Sequence, residues 1–427
     1  MRQMKDSGVE WIGEIPVGWK VSTIKREYSF QTGWTPSTDN DGYFEGDNIW
    51  VNISDMKEKT IFDSQKHISD EAISVSSMNI APKGSLMYAF KLSVGAVSFC
   101  GVDMYTNEAI ATFLPGENLL GYLYYLAPIA IIKNANENIY GAKLLNQQLI
   151  RNAKIVLPPV DEQQRIADFL DAKCAKIDAL IAKQQAVIEK LKAYKLSVIA
   201  EAVTKGLNPD APMKDSGVEW IGNIPTHWYI HKFCWDYSAM LGKMLDAKRV
   251  TGKNMHPYIK NADVQWFSLK SENLDEMDFE ENEKERYSVR PGDLMICEGG
   301  EIGKCAIIPD DFPEGIYYQK ALHRVRRRTE NSGNIEYLSY LMFCMAKNES
   351  FGTSPEKATI AHLPGDALSQ LRLPAPPIKE QREISEYLNR KCQSLDKMLS
   401  KKQETIQKLL LYKKSLIYEV VTGKREV

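Results

Sequence analysis

The sequence has few cysteines and lacks long apolar runs. Its 427 residues include seven cysteines, an odd number with no CxxC pair, which argues against a disulfide framework and a cysteine-rich zinc site. No apolar run reaches the roughly 18 residues that span a bilayer, and the start, MRQMKDSGVEW, has no signal-peptide apolar core. We therefore predict a cytoplasmic protein whose cysteines stay reduced.

An excess of charge of either sign is also lacking. The chain has 54 Lys and Arg residues against 56 Asp and Glu residues, so its formal net charge is −2. This total does not exclude nucleic-acid binding, because affinity for phosphate depends on where basic residues cluster. The 44% hydrophobic and 26% charged content is typical of a globular chain with two or more domains.

No enzyme motif is complete. Residues 298–303, EGGEIG, lack the GK[ST] ending of a phosphate loop and the full dinucleotide fingerprint. His227 and His231 lie four apart and Cys234 follows, a spacing that leaves a metal site open, although the β-rich composition would point the pair along a strand. A DNA methyltransferase would need a cofactor loop and an Asn-Pro-Pro-aromatic motif, and neither is present. We predict a non-catalytic protein without a metal site.

The most informative feature is a long helical pattern that occurs twice. Residues 158–204 carry apolar side chains at spacings of three, four or seven, and residues 376–422 repeat the pattern with many identical residues. A Pro-Pro pair precedes each helix and a glycine, Gly206 or Gly423, ends it. About 44 residues give a rod of about 65 Å, which needs a partner helix. The predicted pairing residues are Ile166, Leu170, Ile177, Ile181, Ile188, Leu191, Ile384, Leu388, Leu395, Leu399, Ile406 and Leu409.

Polar residues interrupt both apolar stripes near the middle. They are Gln184 and Gln185 in the first helix and Lys402 and Gln403 in the second. If the helices pair antiparallel, these residues face one another and could fix the register of the pair. Alternatively, the helices diverge there and the polar residues are solvated. The sequence leaves both alternatives open.

A second repeat precedes each globular region. Residues 5–19, KDSGVEWIGEIPVGW, return almost unchanged as residues 214–228, KDSGVEWIGNIPTHW. Glycine and proline turns between Trp and Ile predict a segment that docks on another element. The chain is therefore one unit used twice. Its predicted parts are a first domain with its lead-in at 1–157, a central helix at 158–206, a second domain with its lead-in at 207–375 and a C-terminal helix at 376–427.

The globular regions combine strands and helices, so the predicted fold class is α/β (α+β). Helices are expected at residues 119–132 and 335–345, whereas the acidic residues 271–286 are interpreted as a solvated surface loop. Short β-rich runs bounded by Gly, Pro, Asp and Asn predict strands at residues 49–53, 85–90, 96–100, 293–297, 304–309 and 323–327.

Basic, polar and aromatic residues on turns are the candidate binding residues. Arg, Lys, Asn, Gln, Glu and Ser can read base edges, and Lys or Arg also anchors phosphates. Such residues follow Gly33 and Gly242, lie around Gly95 and Gly303, and continue in a basic run at 319–328. Alternatively, each of them is an ordinary solvated surface residue that binds no ligand. The candidates are Trp34, Thr35, Ser37, Lys91, Ser93, Lys243, Lys248, Arg249, Lys253, Glu301, Lys304, Arg326 and Arg328.

The duplicated lead-in KDSGVEWIG-x-IP, the Pro-Pro-x-x-Glu-Gln helix openings and the landmarks at Gly33 and 84–95 together resemble the specificity subunit of type I restriction-modification systems. The resemblance covers essentially the whole chain. It implies two target-recognition domains joined by two long antiparallel helices, which form a coiled coil with a pseudo-two-fold internal repeat. Each domain would read one half of a bipartite, asymmetric site in double-stranded DNA, and the helices would set the spacer.

The resemblance also implies protein partners. Two methyltransferase (M) subunits would pack on the helices, and restriction/translocase (R) subunits would complete the complex. S-adenosylmethionine and ATP are expected on these partner subunits, with no cofactor on this chain and no membrane. Two other classes remain open, a scaffold that holds two proteins and a stand-alone DNA methyltransferase. A steep salt dependence of DNA affinity would argue against the scaffold, and cofactor binding by the isolated chain would favour the methyltransferase.

Overall fold

Two compact units make up the chain. The first comprises Met1–Gln184 with Glu404–Val427, and the second comprises Gln185–Gln403. Each unit contains one globular region and part of each long helix. A computed structural model describes residues 2–137, 141, 143–244, 252–348, 351 and 362–427.

The first unit is built around a five-stranded sheet with the strand order β4-β11-β8-β9-β6. A three-stranded sheet, β10-β5-β7, and the pairs β1-β2, β3-β14 and β12-β13 accompany it. The elements are β1 (Met4–Asp6), β2 (Glu14–Pro16), β3 (Lys20–Thr23), α1 (Ile24–Glu27), β4 (Phe30–Thr32), β5 (Asn48–Val51), β6 (Thr60–Ile61), β7 (His67–Ile68), α2 (Asp70–Ser76), β8 (Leu86–Ala89), β9 (Val97–Cys100), β10 (Tyr105–Thr106), β11 (Ile110–Phe113), α3 (Leu120–Ala130), β12 (Asn136–Glu137), β13 (Lys143–Leu144), α4 (Gln147–Asn152), β14 (Lys154–Leu157) and α5 (Val160–Lys205).

The second unit repeats this plan with a four-stranded sheet of order β18-β26-β23-β24. A three-stranded sheet, β22-β19-β25, and the pairs β15-β16, β17-β27 and β20-β21 accompany it. The elements are β15 (Met213–Asp215), β16 (Asn223–Pro225), β17 (Tyr229–Lys232), α6 (Phe233–Asp236), β18 (Tyr237–Leu241), β19 (Met255–Ile259), β20 (Val264–Gln265), β21 (Ser268–Leu269), β22 (Asp275–Asp278), α7 (Glu281–Tyr287), β23 (Leu294–Cys297), β24 (Cys305–Ile307), β25 (Tyr317–Tyr318), β26 (Leu322–Arg327), α8 (Ile335–Lys347), α9 (Gly365–Gln370), β27 (Arg372–Ala375) and α10 (Ile378–Val421).

Most of the predicted elements are present, and the fold is mixed α/β. The six predicted strands are confirmed as β5, β8, β9, β23, β24 and β26, and the two predicted helices as α3 and α8. The interpretation of residues 271–286 as a solvated loop is wrong, because the segment contains β22 and most of α7. Met277 and Phe279 are 3% and 0% exposed, so two buried side chains at a strand spacing hold this acidic stretch against the domain.

A helix lies between the sheet and the long-helix segments in each unit. In the first unit, Leu123 of α3 shares a core with Tyr88 of β8 and Leu170 of α5. In the second, Leu341 of α8 shares a core with β23 and with Leu388 of α10. Because these helices bury side chains toward both the strands and the long helices, each globular region is fixed to its own segments of α5 and α10.

Glycine is required where each first sheet strand ends. A Cβ atom on Gly33 would lie 1.6 Å from the Thr106 carbonyl oxygen, and one on Gly242 would lie 2.3 Å from the Gln319 carbonyl oxygen. Both obstacles are backbone atoms, which cannot rotate away as a side chain can. The close approach turns the chain out of the sheet at the same place in both units.

Replacing Gly33 by Ala should therefore destabilise the first unit by about 2 kcal/mol or more, because the methyl group would displace the strand that carries Thr106. Gly116→Ala is the matched control, since a Cβ atom there meets nothing within 4 Å. Thermal unfolding of the two variants measures the difference. Equal unfolding temperatures would contradict the close packing.

Candidate nucleic-acid interface

The candidate loops of the first unit leave the sheet at one common end. Strand β11 pairs with β4 so that Ala111 lies opposite Thr32, and with β8 so that Ile110 lies opposite Ala89. The chain segments after Thr32 and after Ala89 therefore emerge side by side. This end of the sheet, with residues 33–37, 90–96 and 107–109, is called the first loop end.

The first loop end presents an indole on a fixed backbone. The Trp34 side chain is 56% exposed. Its backbone N–H donates to the Thr106 carbonyl, and its backbone carbonyl accepts the Trp50 indole N–H, each at 2.9 Å. The Thr35 hydroxyl donates to the Glu108 carboxylate, and the exposed Ser37 lies 3.5 Å from an Asp39 carboxylate oxygen. The Trp34 backbone is thus held in place while its side chain stays uncovered.

The β8–β9 hairpin adds Lys91 and Ser93, both exposed, to the same end. Its turn is closed by backbone hydrogen bonds, with the Gly95 N–H donating to the Ala89 carbonyl at 2.9 Å. A cation and a hydroxyl on a rigid turn are suited to phosphate and base-edge contacts.

The second unit has an equivalent loop end with different side chains. Strand β26 pairs with β18 and β23 so that Leu241 lies opposite His323 and Cys297 opposite Leu322. Gly242, Lys243 and the loop 298–304 therefore emerge together. These residues are called the second loop end.

Lys243 is held by the acidic segment that follows β22. Its ammonium group donates to the Asp278 carbonyl at 2.7 Å and pairs with the Glu283 carboxylate. The Asp278 carboxylate accepts the N–H groups of Gly252 and Asn254 on either side of the exposed Lys253. Asp278 thus holds the Lys243 side chain through its carbonyl and the backbone beside Lys253 through its carboxylate. Lys248 and Arg249 lie outside the described residues.

Glu301 is the most constrained side chain of the loop 298–304. It accepts the Trp266 indole N–H at 2.7 Å and the Lys347 ammonium at 2.8 Å. Burial by itself would raise the pKa of Glu301, but these two hydrogen bonds outweigh it and the pKa lies below its ordinary value. Glu301 is therefore an ionised acceptor, and Lys304, half-buried, lies in the same loop.

The other two candidates lie at the opposite end of the second sheet. Arg326 donates to both carboxylate oxygens of Asp293 at 2.5 and 2.7 Å, and Asp293 is only 2% exposed. Arg328 donates to the Cys234 carbonyl at 2.6 Å. The structure thus brings Lys243, Glu301 and Lys304 to one end of the unit and separates Arg326 and Arg328 from them.

A junction at the start of each long helix fixes the lead-in hairpin, which is formed by β1 and β2 in the first unit and by β15 and β16 in the second. The Trp19 indole N–H donates to Glu162 at 2.9 Å, and the Trp228 indole N–H donates to Glu380 at 3.0 Å. Each carboxylate has one further partner, which differs between the units. It is Arg2 for Glu162 and His227 for Glu380.

The two helix segments of the first unit run in opposite directions. The Trp19 ring lies close to the start of α5, through Glu162, and close to the end of α10, through Gly423. Further along, Asp178 of α5 pairs with Lys413 of α10 at 2.7 Å. Residue numbers thus rise along α5 and fall along α10 from the same starting point.

The second unit has the same arrangement. The Trp228 ring lies close to Gly206, after α5, and to Glu380, at the start of α10. Lys195 of α5 pairs with Asp396 of α10 at 2.7 Å. In the sequence repeat, this pair occupies the same two positions as Asp178 and Lys413, with the helices exchanged. An equivalent lysine–aspartate pair therefore links the two helix segments in each unit.

The residues predicted to pair the helices differ in burial. Those near the start of each helix are buried, and those farther along are half-buried except for the buried Ile188. In the middle, Gln185 and Gln403 are exposed, and Gln184 and Lys402 are half-buried. Whether these polar residues face one another stays a prediction. Ile166, Leu170, Ile177, Ile188, Ile384, Leu388 and Leu395 are buried, and Ile181, Leu191, Leu399, Ile406 and Leu409 are half-buried.

The histidines considered as metal ligands have other partners. His227 lies 2.9 Å from Glu380 and His231 lies 2.9 Å from Asp236. Within the part of the chain that the structure describes, no group of three or more His, Cys, Asp or Glu residues is placed to hold a metal ion. None of the described helices is both long and apolar enough to cross a membrane.

Comparison with known proteins agrees with this architecture. The family described as "Type I restriction modification DNA specificity domain" matches residues 16–190 and 240–408. The chain belongs to this family. The two matches cover most of the two globular regions and extend into the two long helices, so this family member contains the specificity domain twice.

Several relatives of this family member are type I restriction enzyme specificity subunits. The EcoKI subunit of Escherichia coli is 23% identical over 87% of this chain and 82% of its own length. The putative MjaX subunit of Methanocaldococcus jannaschii is 25% identical over 97% of this chain and 96% of its own length. The MjaIX subunit of the same organism is 28% identical over a shorter part, 42% of this chain and 43% of that protein.

Solved structures share the fold. One chain, from a study of complex assembly and conformational transition of the type I R-M system, has a TM-score of 0.75 at 16% identity and covers 96% of this family member and 99% of that chain. The HsdS subunit from Thermoanaerobacter tengcongensis has a TM-score of 0.55 at 15% identity, with 98% and 100% coverage.

Replacing Glu162 by Gln tests the junction of the first unit. Burial alone would raise the pKa of Glu162, but the hydrogen bonds from Arg2 and Trp19, together with the positive charges of Arg2 and Arg165, outweigh it and lower the pKa. The Glu162 carboxyl group therefore loses its proton more readily in the folded chain than in the unfolded chain, where the pKa of Glu is about 4.3. Glu162→Gln should cost about 1–2 kcal/mol at pH 7, and the difference should shrink as the pH falls through the folded-state pKa.

Thermal unfolding of both proteins between pH 7 and pH 3 measures this effect. Glu10→Gln, which changes an exposed carboxylate of the same lead-in, is the control and should leave stability unchanged. A destabilisation of Glu162→Gln that stays constant over this pH range would contradict the charge-assisted bonds.

Proposed function

We propose that this chain is the sequence-reading subunit of a type I restriction-modification complex, in which each loop end reads one half of a bipartite, asymmetric site in double-stranded DNA. The observation that carries this proposal is the difference between the two loop ends, which are displayed on equivalent sheets. The family membership supplies the DNA context.

The two loop ends have different recognition chemistry. The first offers the Trp34 indole, the Lys91 cation and the Ser93 hydroxyl, whereas the second offers the Lys304 cation and a Lys243 cation that is paired with Glu283. The second also carries the ionised Glu301, a hydrogen-bond acceptor suited to the cytosine amino group. Different side chains on the same frame favour two different half-sites. Arg326 and Arg328, at the opposite end of the second sheet, remain candidates for contacts with phosphates outside the half-site.

Exchanging residues 21–157 for those of a family member with another specificity should change one half-site and leave the other unchanged, because the loop end that reads the second half-site stays in place. Sequencing of methylated adenines in cells that express the hybrid with its methyltransferase partner measures both half-sites. The reciprocal exchange of residues 229–375 is the control. If either exchange left both half-sites unchanged, the assignment of the readers would be wrong.

We also propose that α5 and α10 pair along their whole length as an antiparallel coiled coil and relate the two units by a pseudo-two-fold axis. The support is local, since the segments of each unit run in opposite directions and the pairs Asp178–Lys413 and Lys195–Asp396 occupy equivalent positions. The length of such a rod would set the number of unread base pairs between the half-sites.

Inserting seven residues into both helices, after Gln184 and after Gln403, should lengthen the preferred spacer by about three base pairs. Seven residues keep the heptad register and add about 10 Å, and the DNA rise is about 3.4 Å per base pair. Methylome sequencing reads the spacer directly. The control replaces Gln184 and Gln403 by Ala at unchanged length, and an unchanged spacer in the insertion variant would contradict the proposed ruler.

The helices would also dock the methyltransferase subunits. A groove of about 660 Å³ in the first unit is lined by Tyr125, Cys174 and Lys413, among others, and one of about 550 Å³ in the second is lined by Tyr340 and Cys392, among others. Several helix residues of the two grooves, such as Cys174 and Cys392, occupy equivalent positions in the repeat, which favours the docking of two copies of one subunit.

The chemistry of the complex would then belong to its partners. We propose that S-adenosylmethionine binds the M subunits and that ATP binds the R subunits. This chain would contribute DNA recognition and assembly without catalysis. The incomplete phosphate loop at 298–303 and the lack of the two methyltransferase motifs in the sequence support this division.

A further inference from the structure

The tip of the β8–β9 hairpin displays an apolar side chain in an unfavourable backbone conformation. Leu92 is 91% exposed. Its φ angle is 57°, in the left-handed region that favours glycine. Backbone hydrogen bonds close the turn around Leu92, with the Gly95 N–H donating to the Ala89 carbonyl at 2.9 Å and the Val94 N–H to the Leu92 carbonyl at 2.8 Å. Leu92 thus combines a conformational cost with almost no packing gain.

The second unit contains the same turn with glycine at this place. Equivalent backbone bonds close the two loops, with the N–H of Gly95 donating in the first hairpin and that of Gly303 in the second. Counting from these residues, Gly300 occupies the position of Leu92, and its φ angle is 74°. Glycine therefore suits the backbone conformation of this turn, and the needs of folding do not explain why residue 92 is a leucine.

An exposed apolar side chain on a strained backbone is typical of a functional site. Leu92 lies between the exposed Lys91 and Ser93 and projects from the same loop end as Trp34. We propose that Leu92 is an apolar wedge that inserts between two neighbouring base pairs of the first DNA half-site. The proposal rests on the function proposed above and deepens it by assigning one specificity-determining residue.

The chemistry of such a wedge fits its surroundings. Leucine side chains that enter a base step unstack it partly and kink the duplex. Lys91, one residue before the wedge, supplies a cation for the adjacent phosphates, which offsets part of the unstacking cost. Because pyrimidine–purine steps are the easiest to unstack, Leu92 would favour a TA or CA/TG step at its position. Gly300 has no side chain, so this distortion would be confined to the first half-site.

The test uses the complex of the full chain with its methyltransferase subunits. The probe is a duplex that carries the bipartite site read from the methylated adenines of the host, with 2-aminopurine at one position at a time outside the methylated adenines. With the wild-type chain, fluorescence should rise at one step of the first half-site only. Leu92→Gly should abolish this rise and weaken binding at least about tenfold. Its unfolding temperature should stay equal or rise, because glycine adopts the left-handed conformation freely.

Two further variants make the result specific. Leu92→Met keeps an apolar side chain of similar volume and should retain both the fluorescence rise and the affinity. Val17→Ala, which shortens an exposed apolar side chain on the lead-in, should leave both unchanged. An undiminished fluorescence rise and affinity in Leu92→Gly would overturn the wedge.

The alternative outcomes are distinguishable. If replacing one thymine by uracil in the first half-site reproduced the loss of affinity, and no position showed a fluorescence rise, Leu92 would contact a thymine methyl group and the wedge would be wrong. If the wild-type complex did not prefer the site over an unrelated duplex, the proposed function itself would fail before any variant was compared.

Discussion

A hydrogen bond between an indole and a carboxylate, buried in the first unit and partly buried in the second, holds each unit together at the start of a long helix. Trp19 donates to Glu162 in the first unit, and Trp228 donates to Glu380 in the second. The same indole packs on the glycine that ends the other helix. One tryptophan thus fixes three chain segments, the lead-in hairpin, one helix start and one helix end. Since hydrogen bonds to charged groups each contribute about 1.5–3 kcal/mol, removing either partner loosens all three segments at once.

This constraint explains why some parts of the repeat are similar and others have diverged. The lead-ins and helices share the junction, so a change in one segment has to be compatible with the other two. Tyrosine hydroxyls reinforce it, since Tyr122 lies 3.0 Å from the Val421 carbonyl oxygen and Tyr337 lies 2.8 Å from that of Val203. The loop ends lie at the far side of the sheets and take no part in these contacts. Their side chains are therefore free to change, as the pair Leu92 and Gly300 illustrates.

The sequence predicted elements whose signal is local and missed relations between distant segments. The strands and helices were recognisable from periodicity and turn residues. The acidic segment 271–286 was misread because surface charge hid Met277 and Phe279, whose burial depends on strands far away in sequence. The basic run 319–328 was expected to supply candidate binding residues, but two of its arginines have partners within the protein. Arg324 is buried against carbonyls at the end of α7, and Arg326 is held by Asp293.

The sequence by itself determined the duplicated plan of this protein, because internal sequence repeats and an apolar period of 3.6 residues can be recognised without tertiary contacts. It also determined the residue types available at each turn. Only the tertiary structure decided which turns share an end of a sheet, which charges neutralise one another and which leucine remains uncovered. These properties depend on strand register and on packing between segments more than a hundred residues apart, and no local pattern encodes such distances.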